Sequence, residues 1–198
     1  WGPTPLSLSV QRLAIDPNGN PVILGYLNGQ TGLQSEVAKV SGTTGAVLWG
    51  PVAFSNPSYP SNFPRGLAIN ASGDVFAIGD GDATDFEAFA LKYAGADGTL
   101  LWGPVGLPGQ FLGAAASADD LVATGYEGED RVTIKYSGMD VFVLWGPAIV
   151  TGGSGSVVDV DASGSVRVAR FLPHPAPHPC FSHLEYRATD VDRRRTNC

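Results

Sequence analysis

The stretch LLWGPVG, residues 100–106, is not a single occurrence. Leu48-Trp49-Gly50-Pro51 and Leu144-Trp145-Gly146-Pro147 carry the same four letters, and the chain opens on Trp1-Gly2-Pro3. All four tryptophans therefore belong to one tripeptide that returns every 43 to 53 residues. A motif kept at such a period marks a repeated supersecondary unit, so the segments between its copies are aligned first.

Three units align. The first joins LAIDPNGNPVILGYL (13–27) to SEVAKVSGTTGAVLWGP (35–51), and the second joins LAINASGDVFAIGDG (67–81) to AFALKYAGADGTLLWGP (88–104). The third joins AAASADDLVATGYEG (114–128) to RVTIKYSGMDVFVLWGP (131–147), and a fourth begins at VVDVDASGSVRVAR (157–170). In every complete unit a lysine, Lys39, Lys92 or Lys135, stands ten residues before the tryptophan. Short runs rich in β-branched and aromatic residues, such as Val75-Phe76-Ala77-Ile78, follow Asn, Asp and Gly turn residues. Phe89, Leu91 and Tyr93 alternate with Ala90 and Lys92, the period of a strand with two unlike faces. Each unit is expected to hold four strands: one near 67–70, one at 75–79, one at 88–93 carrying the lysine, and one ending in Trp-Gly-Pro. Helix is nearly absent from this reading. Four antiparallel strands per repeat of about 45 residues describe a blade of an all-β β-propeller, with three complete blades and partial blades at both ends.

Ala94-Gly95-Ala96-Asp97-Gly98-Thr99-Leu100-Leu101-Trp102, echoed by Ser41 to Trp49, resembles the tryptophan-docking motif of the quinoprotein-like (PQQ-like) propellers and of bacterial propeller repeats found in extracellular proteins. The resemblance covers residues 1–170 and implies a tryptophan wedged between adjacent blades. In the third unit, Met139 to Leu144 lacks the Thr-Gly turn. An extracellular or periplasmic setting is implied by the family; no targeting segment is expected within the chain.

Composition narrows the function classes. A formal net charge of −7 without clustered Lys and Arg in the repeats argues against nucleic acid as a partner. No apolar run reaches the eighteen or so residues of a membrane helix. Both cysteines, Cys180 and Cys198, and all three histidines, His174, His178 and His183, fall after residue 170. The repeats thus contain no His for a Ser-His-Asp or metal-hydrolase arrangement, and neither a catalytic set nor a cofactor is expected. Asp16-Pro17-Asn18-Gly19-Asn20 has the spacing that begins a calcium loop, but its counterparts at 70–74 and 116–120 lose oxygens and no bidentate Glu follows. It is read as a turn, and no metal site is expected. The candidate ligand surface is the loop between the second and third strands, with Asp80, Asp82, Asp85 and Glu87 in one unit and Glu127, Glu129 and Asp130 in the next, because loops on a rigid scaffold carry function.

Residues 171–198 break the pattern with Pro173, Pro175, Pro177 and Pro179 and later Arg193-Arg194-Arg195. They are read as an irregular tail outside the repeat, a linker or a frame-shifted end, with propeller blades over 1–170. The expected function is a non-catalytic extracellular or surface binding module for a protein or carbohydrate ligand. Self-association through open blade edges is allowed for. The alternative is a piece of a quinoprotein-like (PQQ-dependent) dehydrogenase.

Overall fold

The computed structural model describes residues 6–29, 32–55, 61–81, 88–107, 109–140, 142–151, 155–172, 180–187, 190–192 and 196–197. Statements below concern these residues, with side chains up to residue 169 apart from 107, 155 and 156. Trp1-Gly2-Pro3, Asp82, Asp85 and Glu87 lie outside them.

The strands follow one another in chain order: β1 (Ser9–Ile15), β2 (Pro21–Gly29), β3 (Gly32–Val40), β4 (Val47–Phe54), β5 (Asn62–Ile69), β6 (Val75–Gly81), β7 (Ala88–Tyr93) and β8 (Leu100–Leu107). They continue with β9 (Gln110–Ser117), β10 (Asp120–Glu127), β11 (Asp130–Tyr136), β12 (Val143–Val150), β13 (Gly155–Val160), β14 (Val166–Leu172), β15 (Cys180–Arg187), β16 (Asp190–Asp192) and β17 (Thr196–Asn197). Every pairing is antiparallel and joins sequence neighbours, except that β17 pairs β15, giving the sheets β1–β4, β5–β8 and β9–β12 and a fourth built on β13-β14-β15-β16. No helix occurs among the described residues.

From the second sheet on, each sheet turns a rear face to the front face of the sheet before it. Leu67 and Ile69 of β5 with Val75 and Ala77 of β6 pack rearward onto Val22, Leu24, Val37 and Trp49 of the first sheet. Ala114, Ala116, Leu121 and Ala123 do the same to Phe76 and Ile78, and Val158, Val160, Val166 and Val168 to Val122 and Trp145. Alternation along a strand sends successive side chains to opposite faces, and here both faces find a neighbour, which is why β6 and β7 are buried throughout.

The fourth strand does not end at Trp-Gly-Pro. It runs on to Phe54, Leu107 and Val150, and two register shifts let it do so. Ala90 pairs Val105 and Lys92 pairs Trp102, so Gly103 and Pro104 together oppose Leu91. The bulge removes proline from the ladder, where its missing N–H would otherwise break pairing. Gly50, Gly103 and Gly146 take φ values of +84°, +103° and +102°, and the Gly-Pro bonds that follow them are cis. The second shift pairs Tyr93 with Leu100 and leaves Leu101 as the extra residue, 49% exposed rather than packed between blades.

Residues after 170 are strand where they are described. β14 passes Arg170 to reach Leu172 and pairs β15 from Val166↔Tyr186 to Leu172↔Cys180. The prolines 173 to 179 lie outside the described residues, between these two strands.

Candidate functional site

The up-and-down order divides each blade into two ends. The β1–β2 and β3–β4 turns and their counterparts meet at one end; the β2–β3 turns and the connections between sheets meet at the other.

At the first end the recurring lysine and tryptophan close on the next blade. Lys39 Nζ pairs with Asp16 Oδ2 at 2.5 Å and donates to Gly95 O at 2.8 Å, and Trp49 Nε1 donates to the same carbonyl at 3.1 Å. One unit later Lys92 meets Asp74 at 3.0 Å, and Lys92 Nζ and Trp102 Nε1 both donate to Gly138 O at 3.0 Å. Lys135 meets Asp120 at 2.9 Å. The accepting carbonyl can come this close because its residue is glycine: a Cβ on Gly95 would lie 2.0 Å from Gly73 O, and one on Gly138 1.6 Å from Asp119 O. Both glycine N–H groups also donate to a turn carboxylate, Gly95 to Asp74 at 3.2 Å and Gly138 to Asp120 at 3.2 Å.

The Asp16 carboxyl feels two opposed forces. Burial pushes it up, while Lys39 and the backbone and side-chain donors of Asn20 outweigh that and hold it below its ordinary value; Asp74 is held down in the same way by Lys92 and Gly95. Asp16 Oδ1 also accepts the N–H groups of Asn18 and Asn20 at 2.9 and 2.7 Å, so both of its oxygens face donors. This end is a joint between blades, built from side chains that bond to one another.

The second end holds the predicted acidic surface, and its members separate. Asp80 is a β6 residue, 2% exposed, and not a loop carboxylate. Arg65 clamps it from two sides, Nε to Oδ1 at 2.5 Å and Nη2 to Oδ2 at 3.2 Å, while the guanidinium lies 5.4 Å from the Phe63 ring centre. The bond to Asp80 raises the Arg65 pKa further, against the opposing pull of burial. Arg65 is itself the extra residue of a bulge between Pro64 and Gly66, which aims it across to β6. On the neighbouring blade Tyr126 donates its hydroxyl to Gln110 Oε1. Ser35 Oγ ties the first blade to the second through Asn62 O at 2.9 Å.

Glu127, Glu129 and Asp130 stay together. Glu127 pairs Asp130 across the two-residue turn Gly128-Glu129, with Gly128 at φ +60°. Glu127 and Glu129 are exposed and Asp130 is half-buried. Like charges directly opposed on a hairpin repel, a cost that the ladder beneath the tip offsets. Arg131, next in sequence, is fully buried. Among the described residues no three His, Cys, Asp or Glu side chains gather to hold a metal ion.

Sequence reasoning reached the lysines and tryptophans through their spacing, and Asp80 through its charge. It missed Arg65, Gln110 and Arg131, each of which occurs at a position that the other units fill differently, and Tyr126, which repeats Tyr26 of the first unit but not Asp80 of the second.

No family model and no curated protein sequence matches the chain. Solved structures do overlay on it. A polysaccharide lyase described as a PL25 ulvan lyase superposes with a TM-score of 0.58 at 11% identity, over 91% of this chain and 56% of the lyase. Regucalcin from Agrobacterium tumefaciens, a calcium-binding protein, gives 0.53 at 12% identity over 96% of this chain and 60% of its own. TolB from Acinetobacter baumannii gives 0.54 at 14% over 96% and 46%. The chain thus spans 46% to 60% of these three structures. At such identities the likeness concerns fold alone. Taken with the four sheets and their front-to-rear packing, it shows the architecture to be a partial β-propeller of four-stranded antiparallel blades.

Proposed function

We propose that this chain is a non-catalytic binding module whose ligand surface is the end of the blades that carries the β10–β11 hairpin. The observation that supports this reading is how charge is distributed between the two ends. At the joint end Asp16, Lys39, Asp74, Lys92, Asp120 and Lys135 are committed to one another. At the opposite end Glu127 and Glu129 stand exposed on a rigid hairpin, beside the Arg65–Asp80 clamp and Tyr126. Fixed negative charge on a scaffold that needs none of it for folding suits a cationic protein segment, recognised with a rate that salt suppresses. An extracellular or periplasmic setting belongs to the same proposal.

Binding to a panel of basic peptides and of neutral and acidic oligosaccharides, measured by calorimetry, tests it. We expect a basic peptide to bind, with affinity falling as salt rises and at least tenfold weaker for Glu127→Lys/Glu129→Lys, whose melting temperature stays that of the parent. Equal binding by parent and double variant overturns the assignment. A melting temperature raised by calcium or a quinone supports the dehydrogenase alternative instead.

A further inference from the structure

Every blade carries a β-bulge at the same register of its first strand, and the extra residue is Gln11, Arg65, Leu112 and Ser156 in turn. On the second strand, the residue after the glycine paired next to that bulge is Tyr26 in the first blade, Asp80 in the second and Tyr126 in the third. The first and third blades therefore form the same sheet with Gln11 and Tyr26, or Leu112 and Tyr126, where the second has Arg65 and Asp80. The blade itself needs no ion pair at this place. An ion pair that takes a carboxylate out of water also contributes little net stability, and the Asp80 side chain is 2% exposed.

What the pair does supply is a guanidinium fixed in place. Asp80 takes the Nε and Nη2 side of the group, at 2.5 and 3.2 Å, and so locks its plane. The edge that carries Nη1 is turned away from Asp80, on a side chain that is 38% exposed. Such an edge matches the two oxygens of a carboxylate. The bond to Asp80 and the nearby Tyr126 hydroxyl favour the charge of Arg65, which sets it close to β10, the strand that leads into the Glu127–Asp130 hairpin.

We propose that Arg65 is a carboxylate subsite of the ligand surface, which rests on the peptide reading of that surface: it receives the free C-terminal carboxylate of a peptide whose basic side chains face Glu127 and Glu129. Charge complementarity sets the occupant. Exposed carboxylates on the hairpin and a half-buried, immobilised guanidinium near it suit a segment that carries both signs, basic residues followed by a terminal carboxylate.

N-acetylglycine, a terminal carboxylate without a basic group, tests the subsite separately from the peptide surface, with N-acetylglycinamide as its control. In nuclear magnetic resonance of the isotope-labelled chain, the acid is expected to shift the Nε–H signal of Arg65 and the amide to leave it in place. By calorimetry, a basic peptide with a free C-terminus is expected to bind about tenfold more tightly than the same peptide ending in an amide. Arg65→Gln/Asp80→Tyr copies the first blade and leaves no buried carboxylate unpaired. It is expected to melt with the parent and to bind the two peptides equally. Should it not fold, Arg65→Lys, which keeps a charge on Asp80 without the fork, takes its place and is expected to lose most of the preference. An Arg65 signal that the acid does not move overturns the proposal, whatever the peptides do, and so does a preference that survives in the double variant. A shifted signal without binding of either peptide upholds the carboxylate subsite and overturns the peptide as its occupant.

Discussion

Trp49 shows what the tripeptide does. Its indole is 6% exposed, it packs with Val22, Leu24 and Val37, and its N–H reaches Gly95 O in the next blade. Trp49→Ala is expected to lower stability by about 3–5 kcal/mol, as deletion of a buried aromatic does. Trp49→Phe keeps most of the area and loses the bond, for about 1 kcal/mol; urea midpoints separate the two. Asp16 and Glu36 are expected to give opposite pH slopes. Asp16 has a depressed pKa, so its stabilisation is complete above the ordinary carboxylate range and is lost as pH falls through the lowered value. Asp16→Asn should therefore flatten the acid limb of a stability curve. Glu36 is 8% exposed on the rear side of β3, where the matching residues are Phe89 and Val132, and burial raises its pKa above the ordinary value of 4.5. Its native state holds a proton that the unfolded chain has released, so stability falls as pH rises from 4.5 through the raised value. Glu36→Gln is expected to remove that fall and to raise the urea midpoint at pH 7; an unchanged midpoint at pH 7 and pH 4 alike would count against a buried carboxylate.

At the scale of elements, the turn between the third and fourth strands is where blades engage. Gly98, at φ +76°, leaves room for the Trp49 ring, since a Cβ there would meet Cε3 at 2.7 Å. Gly95 is pressed on the backbone of Gly73, which cannot yield as a side-chain tip can. Gly95→Ala is expected to cost about 1–3 kcal/mol or more. Gly19→Ala, whose Cβ meets nothing within 4 Å, should cost only the strain of its φ of +80°, about 1–2 kcal/mol. A urea series on both variants checks the order. Strand positions were legible in the sequence because β-branched runs and turn residues are local signals. The path of the fourth strand was not. Proline ordinarily halts a ladder, and only the two bulges, set by pairing with β7, carry the strand past Pro104 and expel Leu101 to the surface. The strands after residue 170 were hidden for a related reason, since proline-rich sequence reports what its own backbone cannot do and says nothing of the residues that flank it.

For the whole molecule, period was the informative signal, and it identified the blades and the lysine–tryptophan spacing. The candidate surface was less legible because charge alone does not distinguish a clamp from an exposed tip: Asp80 and Glu127 look alike in sequence, and Arg65 decides the fate of the first. Trp-Gly-Pro and its lysine form the joint between blades, and the proposed ligand surface is at the opposite end for that reason. Amide hydrogen exchange of Trp49→Ala against the parent, read by mass spectrometry, tests that most directly. If the joint is as described, exchange accelerates in the turn of the following blade, residues 94–99, whose Gly95 carbonyl holds Trp49 and Lys39. Acceleration confined to the first sheet, with residues 94–99 unchanged, would contradict it.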